Sequence, residues 1–362
     1  VGGATDPYQT ALQYGLVGQG HDAGFGPAAL GRISNGSVPN SQLQPLVSTE
    51  FEIGFDARFL NNRLGIDYAY YNRLTSDDIL PASISGTSGY GSAVVNVGEL
   101  RNKGHELLIT GTPVVGDFRW DISLNYANNN PELLSLSGES KTFSAGEARS
   151  RNAYIQHRIA YTDETTGEEI PGGYSMIMAF LPQTDDQGRM ILDDNGLPLR
   201  ESGLSVMGTG QHPHTGGINN NFSYKNINLS FLIDYKFGGF IYSGTNQTAY
   251  GNGLHKATLE GRDGSGYTVT GVDETSGQEV TYTFPYTDPG NTGATTIQDY
   301  WGRYNDMSGL FVYDADYVKL RQLILGYNFP MSILEKTPFT GLNISFVGRN
   351  LWLIHSNVDN ID

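Results

Sequence analysis

Cysteine is missing from all 362 residues. Its absence excludes disulfide frameworks, zinc ribbons and cysteine nucleophiles, and it suits a compartment where stray thiols are a hazard, such as a bacterial envelope. A run of 18 apolar residues is also missing, which excludes a membrane-spanning helix. Charge is scarce, at 17% of residues against roughly 25% in a typical soluble domain. Basic charge is scarcer still: 22 Lys and Arg stand against 38 Asp and Glu, for a net charge of −16. Nucleic acid needs a basic face and is not expected as a partner. The plain function of the acidic excess is solubility. The chain opens on Val1 with no signal peptide behind it, so the sequence suggests a processed product or a fragment.

Glycine is abundant instead, at 47 residues, with 22 Tyr and 16 Phe. Gly, Asn, Ser and Thr fill the space that charge leaves, the mixture of strands joined by polar loops. The main signal is alternation with period two. Phe51, Ile53, Phe55, Ala57 and Phe59 fall on one face, and Glu52, Gly54, Asp56 and Arg58 on the other. After Asn61-Asn62-Arg63 the alternation resumes with Leu64, Ile66, Tyr68 and Tyr70, so the segment is expected to be a hairpin. The pattern recurs over Phe118–Tyr126, over Ile218–Tyr224 and Ile227–Phe237 around a turn at Lys225-Asn226, over Leu323–Phe329, and over Leu342–Phe346. Parity slips by one around Val318–Leu320, which predicts a β-bulge.

Alternation alone leaves two architectures open. In a soluble sandwich the apolar face packs inward; in a membrane barrel it meets lipid. Three features favour the barrel. The expected strands are long, about 10 to 15 residues, where soluble strands average about 5 or 6. Full charges sit in mid-strand: Asp56, Arg58, Arg119, Asp121, Asp234 and Lys236. Short turns, near 61–63, 113–117, 224–226 and 330–340, alternate with long connections near 76–92, 131–150 and 243–310, as in outer-membrane barrels. Trp120, Tyr224, Tyr313, Tyr317 and Trp352 are candidates for the interfacial aromatic girdles.

Several segments, in order along the chain, resemble SusC/RagA-type TonB-dependent outer-membrane transporters of the Bacteroidetes. They are Ser48–Tyr71, Asn96–Leu107, Gly208–Gln211 with Thr215–Gly217, Phe237–Gly244, Tyr313–Leu323 with Leu325–Pro330, and Gly348–Trp352. The stretch Leu43–Leu46 departs from the family, which often has an acidic residue after the proline. The resemblance implies an all-β, antiparallel transmembrane barrel. About ten strands are expected here, as part of a 22-stranded plugged barrel. It makes residues 1–362 the C-terminal part of that barrel, with plug domain, TonB box and last strand absent. It further implies TonB-dependent import of a large nutrient, a glycan fragment or a peptide, with a SusD-like surface lipoprotein as partner, TonB acting through the plug, and outer-membrane lipid around the wall. The alternatives are a secreted or surface glycan-binding β-sandwich, or a TonB-dependent receptor for siderophores or vitamins.

Other motifs have simpler explanations. Asp185–Gly188, Asp193–Gly196 and Asp314–Asp316 invite calcium, but none matches the EF-hand spacing, and turns account for them. Asp163–Ile170 and Asp273–Val280 are similar to each other in the way that hairpin turns are. His212 and His214 are the one close histidine pair, which is too few ligands for a metal site. No nucleophile elbow, zinc-protease or phosphate-loop pattern occurs, so neither an enzyme nor a cofactor is expected. The remaining candidates for substrate contact are Tyr250, Tyr300, Trp301 and Tyr304 in the long segment 243–310. Such aromatics stack on cargo or build a small core that orders the loop; the second role is favoured.

Overall fold

The computed structural model describes residues 2–3, 10–12, 14–22, 27–33, 37–88, 90, 92–135, 142–150, 153–162, 167, 169–170, 172–288, 290, 292–335 and 337–358. The Asp163–Ile170 repeat lies largely outside these residues, and Asn360–Asp362 wholly so.

Eight long strands form one antiparallel wall: β1 (Leu46–Phe59), β2 (Leu64–Ser83), β3 (Ser92–Val114), β4 (Phe118–Ser135), β5 (His214–Tyr224), β6 (Ile227–Phe237), β7 (Tyr317–Asn328) and β8 (Asn343–Ser356). Each pairs with its sequence neighbour, and two dipeptide strands, Gly2–Gly3 beside β1 and Ser37–Val38 beside β3, bring the sheet to ten. The sheet is a partial barrel and is not closed: β1 and β8 do not pair with each other.

Register turns the local alternation into a surface. One row runs Ala57, Ile66, Ile109, Leu124, Ile218, Ile233, Leu320 and Trp352, each directly opposite the next. A second row, Phe55, Tyr68, Leu107, Tyr126, Gly216 and Tyr235, borders it on one side. Phe118, Tyr224, Ile227, Tyr327 and Ile344 form a further row three steps away on the other side, at the turn end. Phe51, Ile53 and Phe55 remain 61, 59 and 55% exposed, and no second sheet covers this band among the described residues. A sandwich would bury it, so the sandwich alternative falls. Within the band the buried amide of Asn220 is satisfied: its Oδ1 accepts from Trp120 Nε1 at 3.1 Å, and Phe222 stacks on Trp120 and Phe231 at 5.7 and 6.0 Å.

All tight turns lie at one end of the wall, at 60–63, 115–117 and 225–226, together with 329–342, which carries the short helix Met331–Leu334. Leu60, Asn61, Asn62 and Lys225 adopt left-handed φ there, where Asn costs least. The expected bulge is present one step on: Arg321 is extra against β6, while on the other side β8 sets two residues, Asn350 and Leu351, against it, so Leu320 and Leu323 face outward while Arg321 and Gln322 both turn inward.

Two connections differ from expectation. The segment 76–92 is mostly strand, because β2 and β3 pair as far as Ser83 and Ser92. The segment 131–150 likewise continues β4 to Ser135 and contains the strand Thr142–Ser150. Beyond the apolar band alternation fades while the backbone ladder continues. The other end of the wall carries two bodies of chain. One is a four-stranded sheet of 142–150, 153–158, 173–179 and 205–209. The other joins the hairpin Tyr267–Asp273/Glu279–Phe284, the strand Ile191–Leu192, and helices α1 (Gly244–Gly251) and α2 (Ile297–Arg303).

Candidate functional site

The face opposite the apolar band is polar on every wall strand. Near the loop end, Arg73 Nε donates to Glu50 Oε2 at 2.6 Å and Tyr71 Oη to Asn129 Oδ1 at 3.0 Å. With Glu52, Asn102 and Glu106 they line an open recess of about 370 Å³. Gly104 makes this possible, because the Tyr71 ring occupies the space a Cβ would take. Toward the turn end, Arg119 grips Asp121 with Nε and Nη2, both at 2.7 Å, and Thr112 Oγ1 donates to the same carboxylate at 2.7 Å. A recess of about 310 Å³ beside them is lined also by Asn221, Asn228, Asn343 and Ser345. On β6 and β7, Arg321 and Tyr317 Oη bind Asp234, and Arg321 Nη1 donates to Asn350 Oδ1 at 2.8 Å. The inward step of the bulge therefore delivers the Arg321 guanidinium. These pairs are open to water, so solvent screening leaves them little net contribution to stability. Their chemical value is a hydrated surface of carboxylates, guanidiniums and amides.

Tyr317 thus belongs to the polar face, and Tyr313 lies in a short strand of the loop body, near Asn246 Nδ2. Neither lies in the outward apolar band; Tyr224 does, in the exposed row at the turn end.

The four aromatic candidates come together. Tyr300 and Trp301 are 3 and 6% exposed, in a core with Leu192, Val269, Phe284 and Ile297; Tyr250 and Tyr304 pack against it. Tyr250 stacks on Tyr304, nearly parallel at 6.1 Å, and Tyr267 meets Trp301 at 5.2 Å. Tyr300 and Tyr304 share a hydrogen bond of 3.1 Å between hydroxyls. Burial, reinforced by Tyr304, pushes the Tyr300 phenol far above its ordinary pKa; burial also raises Tyr304. Both stay neutral. The helix that presents them starts at a capping box: Thr296 N donates to Asp299 Oδ2 at 2.8 Å, and Asp299 N to Thr296 Oγ1 at 3.4 Å. That spacing is readable in the sequence and marks a helix start that alternation could not reveal.

The aspartate turns occupy themselves. Asp185 accepts from the backbone of Gln187 and Arg189 and from Arg189 Nε; Asp193 accepts from the backbone of Asn195 and Leu197. Asp314 and Asp316 tie strand ends together, through Asn357 Nδ2 at 2.8 Å and Gly238 N at 2.6 Å. His212 and His214 part company: the first reaches Ala315 O through Nε2, the second Tyr126 Oη through Nδ1. Among the described residues no three His, Asp or Glu side chains gather as a metal site.

Residues 4–172 match the family described as TonB dependent receptor-like, beta-barrel. The chain is 26% identical over 357 residues to TonB-dependent receptor P3 of Formosa agariphila, covering 95% of this chain and 33% of that protein. It is 26% identical over 309 residues to TonB-dependent receptor SusC of Bacteroides thetaiotaomicron, covering 80% of this chain and 27% of that one. The solved RagAB peptide transporter superposes with a TM-score of 0.65 at 19% identity, over 96% of this chain and 35% of that one. The chain therefore spans about a third of the length of the relatives it matches.

Proposed function

We propose that this chain is one of the SusC/RagA-type TonB-dependent receptor barrels of the outer membrane, to which it is similar, and that it supplies the C-terminal part of a wall through which a large polar nutrient is imported. The observation that carries this role is the two-faced sheet: an apolar exterior of aligned rows and an interior of hydrated ion pairs. A polar interior suits hydrated cargo, and a barrel satisfies its backbone hydrogen bonds in lipid. The turn end then faces the periplasm and the loop bodies face the exterior.

Cargo is a glycan fragment or a peptide. The RagAB peptide transporter, whose fold this chain shares, supports such a cargo. A SusD-like lipoprotein would meet the loop bodies, and TonB would act through a plug carried elsewhere in the protein. Tyr250, Tyr300, Trp301 and Tyr304 act in this scheme by holding the loop body in shape above the lumen.

The test is uptake by cells that carry or lack the gene, supplied with fluorescent oligosaccharides and peptides, with and without an intact TonB system. Cargo accumulation that needs both the gene and TonB is expected. Equal uptake without either would refute the import role.

A further inference from the structure

The outward face has a second feature beyond its apolar rows. At its loop end it carries a compact set of phosphate-type donors, although the chain as a whole is acidic. His105, Asn128 and His214 stand directly opposite one another on β3, β4 and β5, one row beyond Tyr68 and Tyr126. Both histidines are held the same way: Tyr68 Oη meets His105 Nδ1 at 2.7 Å, and Tyr126 Oη meets His214 Nδ1 at 2.8 Å.

The tautomer of His214 follows from its neighbours. The Pro213 carbonyl accepts from Asn128 at 3.2 Å, which fixes that amide atom as Nδ2. The same Nδ2 lies 3.2 Å from His214 Nδ1, so a neutral His214 that accepts there carries its ring proton on Nε2. His105 repeats the arrangement, with Nδ1 on a tyrosine hydroxyl and the ring exposed. One step further out lies Lys103, and one more brings Arg101. Both lean on a single carboxylate, Glu132, at 3.8 and 3.9 Å, and their side chains are 49 and 38% exposed. Two cations thus share one distant counter-charge.

Their height matters. Two residues along a strand tilted by about 40° rise about 5 Å. The apolar band from Phe118 to Tyr126 accounts for about 20 Å, and such bands are about 25 Å tall. His105 and His214 then lie at its outer edge and Lys103 about 5 Å above, within the headgroup layer.

We propose that His105, His214, Lys103 and Arg101 form a docking row for the phosphorylated headgroup of a lipid in the outer leaflet. Histidine N–H groups and the ammonium and guanidinium groups are donors matched to phosphate oxygens, and the apolar row beneath receives the acyl chains. The proposal rests on the orientation of the wall and is independent of the cargo.

The test uses the full-length receptor in neutral detergent, with heat-modifiable migration as the folding control. Native mass spectrometry compares retention of phosphatidic acid with diacylglycerol of identical chains. The wild type should prefer phosphatidic acid by about tenfold, a difference of about 1.4 kcal/mol. Arg101→Gln with Lys103→Gln, and separately His105→Gln with His214→Gln, should each reduce that preference several-fold. Lys256→Gln, which removes one positive charge from an exposed loop as Lys103→Gln does from the wall, should leave it unchanged. If the double variants do not fold, Lys103→Gln alone carries the comparison. Equal retention of both lipids by the wild type overturns the proposal. So does an equal loss in Lys256→Gln, or complete displacement by millimolar inorganic phosphate, which would make free phosphate the ligand.

Discussion

The wall and the loop body use the same residue types in opposite ways. In the wall, Phe51, Ile53 and Phe55 are more than half exposed, and charged side chains line the face behind them. In the loop body, Tyr300, Trp301 and Phe311 are almost fully covered, and charged groups lie outside. Solvent accounts for the difference. Around the wall the medium is lipid, which is as apolar as phenylalanine and gives no reason to hide it. Around the loops it is water, and the hydrophobic effect gathers the rings. One chain therefore folds under two solvents, and on β3 to β5 the boundary between them falls near the row of His105, Asn128 and His214.

The sharpest way to break this comparison is to truncate one ring in the loop body. Trp301→Ala should destabilise the loop core by about 3–5 kcal/mol while leaving heat-modifiable migration of the wall intact. Protease sensitivity confined to 243–310 is the expected result. Trp301→Phe should be far milder, because the buried Trp301 Nε1 has no acceptor to lose.

The converse change is a charge on the wall. Leu124→Arg lies in the middle outward row and should cost about 2–4 kcal/mol in denaturant unfolding from lipid vesicles. At an exposed loop position such as Leu254, the same substitution should cost almost nothing. Equal effects at both positions would contradict the two-solvent account.

A smaller effect is expected at Asn220, the amide inside the apolar band. Asn220→Ala leaves the Trp120 N–H without its acceptor and should cost about 1–3 kcal/mol. The companion Trp120→Phe variant should restore part of the loss.

Sidedness separates the regions without any energy. The chain has no cysteine, so Asn62→Cys and Tyr286→Cys, both at exposed positions, are clean labels. Whole cells should label position 286 and not 62; the reverse would invert the topology.

The smallest effect is acid loosening of the loops alone. Hydrogen bonds to the carboxylate hold four loop aspartates below the usual carboxylate range: Asp185 by the Arg189 backbone, Asp263 by the Ser265 hydroxyl, Asp273 by the Ser276 hydroxyl and Asp288 by the Thr292 backbone. A lowered pKa means support that is complete above the unfolded value of 3.8 and is lost as pH falls through the folded one. Hydrogen exchange at these turns should rise between pH 5 and strongly acidic conditions, with the wall protected throughout.

How far the sequence could be read follows the same division. Asn61-Asn62 and Lys225-Asn226 announced their turns because positive φ is a local property. The outward faces of β1, β4 and β6 were legible because every second residue repeats the same choice. The extension of β2 to Ser83 was not, since beyond the apolar band the side chains no longer record which face is which. Helix α2 was missed although Thr296 and Asp299 form its cap. The aromatic candidates were found, and a core among them was favoured. Their partners Leu192 and Val269 come from segments that no spacing rule connects to α2.

The sequence by itself determined the period, the turn residues and the chemical character of each face, because these depend on neighbours one or two residues away. Tertiary structure decided which rows line up across the wall, that Arg321 turns inward at the bulge, that Tyr300 and Trp301 are enclosed, and that His105, Asn128 and His214 share one row. These depend on hydrogen-bond register between distant segments and on the solvent each surface meets, and neither is written in local alternation.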